Sequence, residues 1–131
     1  KNHLYDEALS HYGRAVELGQ DDENVHFNMA RAFHAKGDWT GCVQSLTECL
    51  RRNPDLPAAR KFCLHLARKE EEKAVRLTTT HPNMAKIIMA ESRRLTESML
   101  AAAGIGPEEA ARLRREVRER LGRSGRVRGL A

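Results

Sequence analysis

Three features of this sequence predict an all-α fold of six helices. Only six of its 131 residues are Phe, Tyr or Trp, while Ala, Leu, Glu and Arg abound, a composition that favours helix over sheet. Apolar residues recur at intervals of three and four, and Gly or Pro stands where the pattern stops. The chain also overlays itself at an offset of 34 residues. Tyr5 then falls on Trp39, Ala8 on Cys42, Leu9 on Val43, Tyr12 on Leu46, Ala15 on Cys49 and Val16 on Leu50. Aromatic meets aromatic, small meets small and large apolar meets large apolar. The stretches DEAL and TGCV overlay too, as solvent-facing segments.

The first helix is expected over about residues 4–19, with Leu4, Ala8, Tyr12 and Ala15 on one stripe. A hairpin follows. Phe27, Ala30 and Phe33 line its first helix, Gly37 ends that helix in a left-handed conformation, and Asp38 caps the next. Cys42, Leu46 and Cys49 line the second helix, which Pro54 stops because its ring cannot continue the hydrogen-bond ladder. Ala30, Cys42 and Cys49 are small where two helices must cross closely. A fourth helix is expected from 57 to about 76, with Phe62, Cys63, Leu66 and Ala67 inward and RKEEEK (68–73) as a solvated charged face. The stretch TTTHP (78–82) breaks the pattern, with a Thr cap before Pro82. A fifth helix, about 82–103, places Met84, Ile87, Ile88, Leu95 and Met99 on one stripe and ends at Gly104. The sixth starts at Pro107 with Glu108 and Glu109 in its first turn, where the helix dipole favours acids. It turns Ala110, Leu113, Val117 and Leu121 inward under a coat of arginines, and Gly122 stops it. Residues 123–131 read as a basic, disordered tail.

Residues 23–56 resemble one complete tetratricopeptide repeat, with Phe27, Asn28, Met29, Ala30 and Phe33 before the Gly37-Asp38-Trp39 turn, then Cys42, Leu46, Cys49 and Pro54. Residues 3–20 resemble the second half of a preceding repeat, and residues 57–68 the start of a third. Cys stands where the family usually has Ala, and the likeness fades after residue 68. It implies a right-handed helical-hairpin solenoid over residues 1–76, leaving 77–122 as a C-terminal pair of capping helices. Because Lys1 is no initiator and the first helix lacks its pair, the sequence is expected to belong to a longer protein.

The family likeness also implies a non-enzymatic protein–protein interaction scaffold, binding a peptide or partner protein in a concave groove. Asn24, His26, Asn28 and Arg31 would face that groove, with His34 or Ala35 beside them. Asn28 stands where many members grip a ligand's peptide backbone, and its amide can donate and accept together. The two-carboxylate clamp of chaperone-binding members is not expected, because its third-repeat basic positions are Ala58 and Phe62 here.

Composition argues against other classes. Cys42, Cys49 and Cys63 form no CxxC and occupy small-residue positions, so they read as core thiols. No two of the six histidines lie three or four apart, and neither a metal site nor a cofactor site is expected. No apolar run approaches the roughly 20 residues of a membrane span, so a cytoplasmic protein is expected. The formal net charge of +5 comes almost wholly from residues 104–131, with eight Arg against four Glu. An alternative role follows: an adaptor for nucleic acid or an acidic surface through Arg112, Arg115 and Arg118. A regulatory segment of a larger enzyme is a third reading. The uncovered stripe of residues 1–20 is expected to support a homodimer.

Overall fold

The computed structural model describes residues 2–123. They form six helices: α1 (Asn2–Glu17), α2 (Glu23–Lys36), α3 (Trp39–Arg52), α4 (Pro57–Thr80), α5 (Pro82–Ala102) and α6 (Pro107–Arg123). No strand occurs among the described residues. Consecutive helices pack on one another from α1 to α5, while α3 also lies against α5 and α4 against α6.

Local chemistry explains most of the boundaries. Asp22 caps α2 by accepting from the Val25 amide at 3.0 Å. Gly37 ends α2 with φ of 88°, where a β-carbon would be strained, and its amide donates to the His34 carbonyl. One residue on, Asp38 accepts from the Gly41 amide at 3.0 Å and opens α3. Pro57, Pro82 and Pro107 each stand first in their helix, where a missing amide proton costs nothing.

Two boundaries differ from expectation. The threonines do not break α4, which runs on to Thr80. Thr78, Thr79 and Thr80 donate their hydroxyls to the carbonyls of Ala74, Val75 and Arg76, four residues back, so each is satisfied inside the helix. The break falls at His81, which precedes a proline and gives α5 no side-chain cap. Gly122 likewise does not stop α6, which includes Arg123. A single glycine costs a helix only about 1 kcal/mol, and the buried Leu121 anchors the turn before it. Residues 124–131, the rest of the expected tail, lie outside the described residues.

The main core gathers Ala30 from α2, Cys42, Leu46, Cys49 and Leu50 from α3, Cys63, Leu66 and Ala67 from α4, and Met99 and Leu100 from α5. All three cysteines are free thiols with no exposed surface. Burial pushes Cys42 and Cys63 up to about 12 and Cys49 up to about 11, so they stay protonated and inert. TGCV is not a solvent face: Cys42 and Val43 are fully buried. Gly41 is part of the packing too, since a β-carbon there would stand 2.6 Å from the Phe33 ring. The absent side chain lets α2 and α3 approach.

The expected α5 stripe is split. Leu95 and Met99 join the core, but Met84, Ile87 and Ile88 are exposed, Ile87 at 79%. Ala85 and Met89 are the residues buried at that end of the helix. The reason is reach: the core takes nothing from α5 before Leu95, so the N-terminal half packs on a narrower face.

The largest departure concerns RKEEEK. Arg68, Lys69 and Lys73 are exposed as expected, but Glu70 and Glu71 are only 2% and 4% exposed and, with half-buried Glu72, form an acidic ladder. Glu70 accepts from Thr96 at 3.1 Å and Ser92 at 3.2 Å, with Arg93 at 3.3 Å. Glu71 accepts from Arg93 of α5 at 2.8 Å and Arg118 of α6 at 2.9 Å, while Glu72 accepts from Arg120 at 2.6 Å. Three consecutive carboxylates therefore join α4 to two other helices. Beside them lies a satellite cluster of Val75, Val117 and Leu121, while Ala110 and Leu113 of α6 belong to the main core.

Candidate ligand-binding groove

Helix α2 turns 100° per residue, so Asn24, Asn28 and Arg31 fall along one face. Asn24 and Arg31 are exposed and Asn28 is half-buried. The Asn28 amide has no hydrogen-bond partner among the described residues. His26 is not with them. Its side chain is 12% exposed and its Nε2 meets the Asp21 carboxylate, which also accepts from Arg52 of α3 at 2.9 Å. Two positions beyond Asn24 is about 200°, the opposite side of the helix, and there His26 fastens α2 to α3 rather than facing a ligand. The His26 hydrogen bond, with Arg52 beside it, holds the Asp21 carboxyl below its ordinary range.

Beside Arg31 the face is aromatic. Phe27, Arg31 and His34 of α2 and Phe62 of α4 line an open depression. Phe27 and Phe62 meet edge to face with centroids 6.3 Å apart, and His34 and Phe62 do so at 5.3 Å. The His65 ring lies 6.4 Å from that of His34. Phe62 and His65 are not among the sequence-predicted groove residues. Phe62 reads as an inward core position, yet it is half-buried and forms the depression's far wall. One signal was available: Phe62 and His65 are three apart, the spacing that gives a helix one shared face.

Helix α6 presents less free positive charge than its composition implies. Arg118 is engaged by Glu71, and Arg120 by Glu72. The Arg120 hydrogen bond holds the Glu72 carboxyl below the ordinary range. Arg114 is largely buried and its guanidinium is lowered, first by burial and then by Arg93. Arg112 and Arg115 are exposed, but Glu108 and Glu116 stand four residues either side of Arg112, and Glu119 four beyond Arg115. At that spacing each arginine has a carboxylate for a surface neighbour.

No three His, Cys, Asp or Glu side chains among the described residues are grouped to hold a metal ion. No helix among them is long and apolar enough to cross a membrane. The chain matches no protein-family model, no curated protein and no solved structure.

Proposed function

We propose that this chain is a non-enzymatic scaffold that holds an extended or helical segment of a partner protein on the α2–α4 face, within a tetratricopeptide-like solenoid. The observation that carries the reading is the groove itself. An open aromatic depression, Phe27, His34 and Phe62, adjoins an unengaged Asn28 amide and the exposed Asn24 and Arg31. An apolar recess beside polar groups suits a side chain and its main chain together. The solenoid is supported by ring contacts between α2 and α4, by the packing of α3 on α5, and by the cap–glycine–cap turn at 37–38.

The adaptor role expected of α6 gains less, because Arg118 and Arg120 hold α6 on α4. The regulatory-segment reading gains no observation of its own. The test is capture from a peptide library, followed by titration of the captured sequence against variants. Asn28→Ala and Arg31→Ala should each weaken binding roughly fivefold to tenfold, the worth of one or two hydrogen bonds. Undiminished binding by the double variant would refute the assignment of this face.

A further inference from the structure

The groove has a sign. From Asn24 to Gly37, and again from Leu56 to Lys69, there is no Asp or Glu. Those two stretches supply the α2 side and the α4 side of the depression. They carry Arg31, Lys36, Arg60, Lys61, Arg68 and Lys69. Three of these are committed elsewhere: Lys36 to Asp6 at 2.6 Å, Arg60 to the Ala103 carbonyl, and Lys69 to Glu72 at 3.5 Å. Arg31, Lys61 and Arg68 are exposed and have no ion-pair partner among the described residues. Arg31 lines the depression directly. Lys61 lies one turn before His65, on the same side of α4. Arg31 thus lines the aromatic recess from α2 and Lys61 stands next to its Phe62 along α4, with the His34 and His65 rings as further hydrogen-bonding groups.

We infer that the partner segment is acidic, with internal Asp or Glu side chains on either side of one apolar residue that enters the Phe27–His34–Phe62 recess. This deepens the scaffold reading and rests on it. Nucleic acid shares the charge but fits the rings less well. Phe62 meets Phe27 and His34 edge to face at interplanar angles of 88° and 87°, so these rings pack on one another rather than forming a stacked platform. A terminal carboxylate is not required, since the charges that matter lie to both sides of the recess.

The test is fluorescence anisotropy with labelled peptides amidated at the C-terminus: a glutamate-rich peptide with one central phenylalanine, the same peptide with serine at the centre, and a lysine-rich peptide with the phenylalanine kept. An oligothymidylate is the fourth probe. The first should bind tightest and shift the amide resonances of α2 and α4. Loss of the phenylalanine, Arg31→Glu and Lys61→Glu should each weaken it by roughly tenfold, with circular dichroism unchanged. Equal binding of the lysine-rich peptide on this face would overturn the acidic assignment while leaving the groove in place. Tighter binding of the oligothymidylate with a steep salt dependence would overturn it in favour of nucleic acid. If no peptide of either charge moved these resonances, the inference and the scaffold reading would fall together.

Discussion

The α2–α3 hairpin and the contact of α6 with α4 join helices by opposite means. Between α2 and α3 the contact is a close apolar crossing, where Ala30, Cys42 and Gly41 make room and Phe33 and Leu46 fill it. Between α4 and α6 the C-terminal stretch is a pair of carboxylates met by arginines beside Val75, Val117 and Leu121, while Ala110 and Leu113 of α6 join the main core. The first resists salt and acid because its strength is area removed from water. The second is conditional. Its polar part is secure while each charge keeps its partner, since a buried ion left alone costs several kcal/mol.

Substitutions should separate the two. The largest effect is expected from Leu46→Ala, which empties a fully buried site and should cost about 3–4 kcal/mol, read from urea unfolding of the whole chain. Glu71→Ala should cost about 2–3 kcal/mol, discounted because Arg118 is partly exposed, and the loss should be local. Hydrogen exchange would then rise across 107–123 while α3 stays protected; uniform loss would show that the two contacts are one cooperative unit. Gly41→Val drives a side chain into the Phe33 ring and should cost about 2 kcal/mol, with α3 rather than α6 deprotected.

Acid should act on the ion ladder first. The Glu72 carboxyl is depressed by Arg120, so its contribution is complete above the ordinary value of 4.5 and is lost as pH falls through the lower folded value. Exchange protection of α6 followed down that range is the measurement, and retention below it would deny the ladder its role. The smallest effect is expected at α1, where Leu4 is exposed and no described residue reaches full burial. Weak self-association through residues 1–20 should appear in sedimentation at high concentration and vanish in Tyr12→Glu.

The two regions also differ in how far the sequence discloses them. Gly37, Asp38 and the three cysteines are legible because each obeys a rule that acts within a few residues. Glu70–Glu72 are not, because three like charges in a row look solvated, and their partners Arg93, Arg118 and Arg120 lie 22 to 48 residues away. Met84 and Ile88 mislead for a related reason. Their spacing is that of a buried face, but burial depends on whether another helix reaches them. The groove was half legible: Asn24, Asn28 and Arg31 share a face by simple periodicity, whereas the Phe62 wall required knowing that α4 lies beside α2.

The span of the ladder also has a consequence in time. Asp38 finds the Gly41 amide three residues away, whereas the second oxygen of Glu71 must wait for Arg118, 47 residues later. At a synthesis rate of about 5–20 residues per second, that wait is roughly 2–10 s, far longer than a helical hairpin needs to form. On a growing chain, α4 is therefore made with three hydrated carboxylates; α5 meets Glu70 and one oxygen of Glu71 first, and the ladder is complete only when α6 brings Arg118 and Arg120. Pulse-labelled refolding should show the same order, with α3 protected early and α6 last.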